Sequence, residues 1–233
     1  MNSNCRSHET TNLFFAVEPL ERRAMLAGNV SASINAGGDL IIQGDGADNK
    51  IEVFIATDGT VVISGHDGET VDQGNLNNTT VTGDVRVRMR GGNDTVELTS
   101  ANGPINKLII RTGSGSDSIT VDLNSTQTTN VLFVTGSGND RVDARQNPIE
   151  LESRDSSSRK LTIRTGGGED NVRIRDFAGE MRVHLGSADD TICLDFSMPG
   201  TANGGGGYDK FVMPFPELAR QISFEDISAI KID

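Results

Sequence analysis

The residues with the clearest chemistry are six aspartates: Asp94, Asp117, Asp140, Asp170, Asp190 and Asp209, spaced 23, 23, 30, 20 and 19 residues apart. Each closes a glycine-rich run and opens an alternating apolar one, as in LIIRTGSGSDSITV from Leu108, VLFVTGSGNDRVDA from Val131 and LTIRTGGGEDNVRI from Leu161. Looser copies begin at Val85, Met181 and Gly200. A carboxylate that recurs once per repeat has two chemistries open to it. A row of carboxylates and turn carbonyls suits Ca²⁺, a hard cation that takes about 6–8 oxygens. Alternatively, each carboxylate accepts N–H groups of its own turn, as Asx-turns do. Carboxylates stacked about 4.8 Å apart repel by about 1 kcal/mol per pair in water, so something must offset the row. A basic row six residues earlier, Arg88, Arg111, Arg164 and His184, is a candidate counter-charge. It is interrupted by Val134. It reads either as a solvated face with cross-coil ion pairs or as a contact for an anionic surface glycan.

With each aspartate as position 0, positions −9, −7, +2 and +4 are almost all apolar. Leu108, Ile110, Ile119 and Val121 are one set; Leu161, Ile163, Val172 and Ile174 are another. The period is two on both sides of the glycines, so each repeat is strand–turn–strand with one face buried. Glycines at −4 and −2 supply the sharp bend. A repeat of about 20 residues is the size of one solenoid coil. The two-residue loops that mark hairpins are missing between the paired strands of the clear copies. The fold expected is therefore all-β, a parallel β-helix of about eight coils, on the order of 35–40 Å long at the usual strand spacing. The first coil carries Asn49 in place of the aspartate, and Val61–Val71, with Glu69 at position 0, fits a second. The polar insert from Arg145 to Lys160, with Pro148, should leave the coil as an exposed loop. Residues 29–213 form the expected repeat domain, and 214–233 are expected to cover the open end.

Composition narrows the function. The chain has 233 residues, a net charge of −12 and 4% aromatics. An acidic balance argues against a nucleic-acid partner, and no stretch approaches the roughly 20 apolar residues of a membrane span. The two cysteines, Cys5 and Cys193, do not make a disulfide framework. His8, His66 and His184 lie in unrelated contexts. A residue present in every coil serves the coil rather than one catalytic centre. The expectation is a non-catalytic module, with a glycan-active β-helix enzyme as the alternative.

Two resemblances add to this. The runs Thr112–Thr120, Thr135–Asp143, Thr165–Arg173 and Gly204–Val212 resemble the haemolysin-type (RTX) calcium-binding repeat, Gly-Gly-x-Gly-x-Asp-x-apolar-x. That resemblance implies Ca²⁺ held by Asp117, Asp140, Asp170 and Asp209, with Asp94 and Asp190 less closely matched. The chain departs from the family in having one motif per coil rather than two. Arg90 and Ala188 also replace glycines, and Asn49 replaces an aspartate. VEPLERRAMLA, Val17 to Ala27, resembles the LE-x-R-x-LLA leader of secreted planctomycete proteins. It implies that residues 1–28 are an export segment, against the alternative of an amphipathic helix capping the solenoid. The implied setting is extracellular or cell-surface, with a glycan or matrix partner.

Overall fold

The computed structural model describes residues 29–66, 70–74, 76, 79–101, 103–124, 128–146, 159–177, 179–195, 200–212, 222–225 and 229–230. The leader-like segment, Glu69 and most of the Arg145–Lys160 insert lie outside these residues, although Arg145, Gln146 and Lys160 themselves sit in strands. The described chain is all-β.

Its strands form two sheets and alternate between them from β6 onward. The first sheet contains β1 (Asn29–Ile34), β2 (Leu40–Gln43), β5 (Thr70–Asp72), β6 (Val85–Arg88), β8 (Lys107–Ser114), β10 (Asn130–Ser137), β12 (Lys160–Gly167), β14 (Glu180–Ser187), β16 (Gly200–Gly206) and β18 (Ile222–Glu225). The second contains β3 (Lys50–Ile55), β4 (Val61–Gly65), β7 (Thr95–Ser100), β9 (Ser118–Leu123), β11 (Arg141–Gln146), β13 (Asn171–Arg175), β15 (Thr191–Leu194), β17 (Lys210–Val212) and β19 (Ala229–Ile230). From β2 onward the first sheet runs in the order β2-β6-β8-β10-β12-β14-β16-β18, and from β3 the second runs β3-β7-β9-β11-β13-β15-β17-β19. Every pairing in those two series is parallel.

The register carries the repeat exactly from unit to unit. Leu108 pairs with Val131, Val131 with Leu161 and Leu161 with Met181 in one sheet. Ile119, Val142, Val172 and Ile192 do the same in the other. The expected apolar positions are the core: Leu108, Ile110, Ile119, Leu161, Ile163 and Val172 are almost fully buried. Burying each such side chain is worth about 1.5–3 kcal/mol.

The expected second coil is corrected. Val61–Gly65 pairs antiparallel with β3, and β3 pairs directly with β7. Residues between Ala56 and Asp84 are thus an excursion from the series rather than a member of it. β1 likewise folds back antiparallel on β2. A period of two buries one face whichever way a strand runs, so the alternation in VVISG could not fix its direction. At the other end, the segment expected as a cover adds β18 and β19, one parallel strand to each sheet.

Candidate functional site

Position 0 is in phase with +2 and +4, so the aspartates face inward with the core. Asp94, Asp117, Asp140, Asp170, Asp190 and Asp209 are each only 1–2% exposed. Their neighbours across the turn, at position −5, are also buried: Thr112, Thr135, Thr165 and Leu185.

The turn explains why an acid is needed there. The glycines carry the chain from one sheet to the other; the main-chain ladder runs on through them, with Gly115 N donating to Ser137 O at 2.8 Å, and breaks at position −1. Gly113, Gly136, Gly166 and Gly186 have φ between 105° and 116°, and a Cβ on Gly136 would overlap the Gly113 carbonyl oxygen in the turn stacked beneath it. Just past the break, the amide of each position-0 residue meets the next unit's aspartate instead of a carbonyl. Asn49 N donates to Asp94 Oδ1 at 2.9 Å, Asp94 N to Asp117 Oδ1 at 2.8 Å and Asp117 N to Asp140 Oδ1 at 2.9 Å. Asp140 N then donates to Asp170, Asp170 N to Asp190 and Asp190 N to Asp209, at 2.8, 2.8 and 3.0 Å. The carbonyl of the same residue resumes the ordinary ladder: Asp117 O accepts Arg141 N at 2.8 Å, and Asp140 O accepts Asn171 N at 2.8 Å. The carboxylates therefore accept from the neighbouring unit, not from their own turn as an Asx-turn would. Asn49 is the exception. With no preceding unit among the described residues to serve, its side-chain amide closes on its own turn through Asp45 N and Asp45 Oδ1, both at 3.1 Å.

A second ladder lies one residue outward and runs the opposite way. Asn93 N donates to Asp48 Oδ1, Ser116 N to Asn93 Oδ1, Asn139 N to Ser116 Oγ, Glu169 N to Asn139 Oδ1 and Tyr208 N to Asp189 Oδ1. The turns of Asp94, Asp117, Asp140 and Asp170 thus each grip the unit ahead through position 0 and the unit behind through position −1. Position −1 varies among Asp, Asn, Ser, Glu and Tyr, which hid it in the sequence. The signal that could have found it is the recurrence of short acceptors there. The threonines at −5 were visible in the repeat but had no role assigned.

Five of the six inner carboxylates have one oxygen left over. Oδ2 of Asp117, Asp140, Asp170, Asp190 and Asp209 is buried without a hydrogen-bond donor among the described residues. Threonine hydroxyls lie close enough to favour the charged forms of Asp117, Asp140 and Asp170. Their donor geometry, however, is met by carbonyls of the next unit: Thr135 Oγ1 donates to Thr165 O at 3.2 Å and Thr165 Oγ1 to Leu185 O at 2.6 Å. A hydroxyl has one proton, and we assign it to the carbonyl. Desolvation then dominates. It pushes Asp140 up to about 6 and Asp190, which faces Leu185 rather than a threonine, up to about 7. Asp117 and Asp170 move in the same direction for the same reason. At Asp117, Asp140 and Asp170 a protonated carboxyl satisfies the site fully: Oδ1 accepts the amide, and the Oδ2 proton turns toward the threonine oxygen at −5.

The orphaned Oδ2 row is also what a cation would seek. Asp117, Asp140 and Asp170, each beside a threonine hydroxyl, fit that role in part. Asp94 and Asp190 fit less well, because Met89 and Leu185 occupy position −5. Among the described residues, no three His, Cys, Asp or Glu side chains converge as a metal-binding group.

The basic row is in register on the outer face of the first sheet, where Arg88 pairs with Arg111, and Arg164 with His184, at exposed positions. The cross-unit ion pairs expected of it lie elsewhere. On the second sheet Arg175 meets Asp143 at 2.7 Å, Arg173 meets Asp195 at 2.7 Å and Arg145 meets Asp176 at 3.3 Å. Cys193 is half-buried, its Sγ 3.7 Å from Asp195 Oδ1, and burial pushes its thiol up. Among the described residues no helix is long and apolar enough to cross a membrane. No protein-family model, no curated protein and no solved structure matches this chain.

Proposed function

We propose that the chain is a non-catalytic β-solenoid module whose aspartates are clamps between coils rather than a reactive centre. Seven units bearing Asn49 or an aspartate, followed by the β18–β19 layer, make about eight coils of a parallel β-helix. The observation that carries this reading is the inner ladder: all six aspartates are spent on the amide of the preceding unit. A catalytic pair would instead bring two carboxylates to one substrate-sized opening. The role is then passive, as a surface, matrix or adhesion element that presents its outer faces to a glycan or matrix partner. An extracellular setting is supported by the leader-like Val17–Ala27 segment.

The buried Oδ2 row favours a second reading, in which Asp117, Asp140 and Asp170, with Thr112, Thr135 and Thr165, hold Ca²⁺. Bound calcium would neutralise the row. The chain's own part is to present one oxygen per unit while the other stays on the amide. Thermal melts of the full chain in EDTA and in a few millimolar Ca²⁺ separate the two. Clamps predict superimposable curves. A melt that rises by many degrees only with Ca²⁺ would replace clamps by a metal site. Release of products from a polysaccharide panel would overturn the non-catalytic reading.

A further inference from the structure

The outer face of the first sheet carries an arrangement that stability alone does not explain. Arg88, Arg111 and Arg164 occupy one column, with Val134 between the second and third. All three arginines are exposed. Adjacent rungs are about 4.8 Å apart, so Arg88 and Arg111 repel each other. The chain has 33 acidic residues, yet among the described residues none pairs with this column. The acids on this face pair with other cations: Arg86 with Asp39 and Asp84, and both Lys160 and Arg182 with Glu180. On one side the column is bordered by half-buried Ile109 and Leu132. Toward the turn lie exposed Arg90, which extends the basic surface beside Arg88, and small residues at −3 such as Ser114 and Ser137.

We propose that this column binds a linear polyuronate, an unbranched polysaccharide with one carboxylate per sugar. This rests on reading the chain as a non-catalytic module that presents its faces to a partner, and it names the partner's chemistry. Three features select it. The guanidinium fork matches a carboxylate with two parallel hydrogen bonds. In an extended (1→4)-linked pyranose chain carboxylates alternate sides, so every second one faces the column, which matches the two-rung separation of Arg111 and Arg164 across Val134. Ile109, Leu132 and Val134 offer an aliphatic surface to the C–H faces of the sugars. Single-stranded nucleic acid would instead call for a run of aromatic stacking platforms, and the described strands of this face before β18 present no Phe, Tyr or Trp outward, only His184 at the column's end.

The test is binding of the full chain to polygalacturonate by isothermal titration, in about 0.15 M salt, where the Debye length is about 8 Å. EDTA is present throughout, so calcium cannot bridge the two acids. The triple variant R88Q/R111Q/R164Q and the control K50Q/R141Q/K210Q, which removes three exposed cations from the other sheet, both take the net charge from −12 to −15. The expected result is binding by the wild type, a loss of about tenfold or more in the first variant and a change of less than about twofold in the control. If the glutamine variant does not fold, the triple lysine variant carries the test: it keeps the charge and loses the fork, and should still bind more weakly. No binding by the wild type, equal losses in both variants, or equal affinity for heparin or single-stranded DNA would overturn the proposal. A wild type that melts identically in EDTA and calcium yet ignores polygalacturonate would sink this assignment and leave the clamps standing.

Discussion

The amide of Asp117 donates forward to Asp140 Oδ1 at 2.9 Å, while the amide of its neighbour Ser116 donates backward to Asn93 Oδ1 at 2.8 Å. Two consecutive amides thus fasten one turn to both of its neighbours. The inner bond is sealed in the core and the outer one is exposed to water. An unmade buried bond costs about 1–3 kcal/mol, whereas water can replace an exposed partner. Asn93→Ala should therefore cost under about 1 kcal/mol in urea denaturation, far less than losing an inner acceptor.

The buried carboxyls set a pH dependence. Asp140 and Asp190 lie at about 6 and 7 in the folded protein, against an ordinary value of about 3.9. Between these values the folded state holds protons that the unfolded chain has released, so stability falls as pH rises. The contribution is fully present below about pH 4 and is lost by about pH 7–8. The melting temperature should drop by roughly 5 °C between pH 5 and pH 8, and Asp190→Asn should flatten the slope. A melting temperature that rises over this range would mean that the carboxyls are ionised and paired.

Much of this was legible in the sequence. Period two placed Leu108, Ile110, Ile119 and Val121 in the core; that Asp117 shares the face of Ile119 and Val121 and is buried with them emerged only in the structure. What spacing could not give was the donor. A bond from Asp94 N to Asp117 crosses 23 residues and exists only once units stack in register. Nor could it give the direction of Val61–Gly65, because alternation reads the same in either sense.

Ala188 stands where the other clear turns have glycine, and its φ is 89°. A side chain in that region costs about 1–3 kcal/mol. Ala188→Gly should raise the melting temperature by about 2–4 °C. Gly136→Ala, whose Cβ would overlap Gly113 O, should cost more than about 3 kcal/mol. Scanning calorimetry of the two variants checks both signs.

Asn49 ends the inner ladder, and an aspartate there should be worse than the asparagine. Its Nδ2 donates to Asp45 Oδ1. Asp45 is held at about 2 by the Ala47 amide, by Asn49 itself and by the Asn29 amide. Asn49→Asp would remove that donor and set two carboxylates face to face, costing about 1–3 kcal/mol at neutral pH in urea denaturation. An unchanged midpoint would show that the first rung has no need of an amide.

The clamp role is tested most directly at Asp140, by urea denaturation of the wild type, Asp140→Asn and Asp140→Ala in EDTA at pH 7. Asparagine keeps Oδ1 for the Asp117 amide and replaces the orphaned Oδ2 with a donor beside Thr135. Alanine leaves the amide buried and unmet. Clamps predict that Asp140→Asn stays within about 1 kcal/mol of the wild type and that Asp140→Ala loses about 3 kcal/mol or more. Equal losses in the two variants, with a wild-type midpoint that climbs on adding Ca²⁺, would contradict this and make the carboxylate charge itself the functional group.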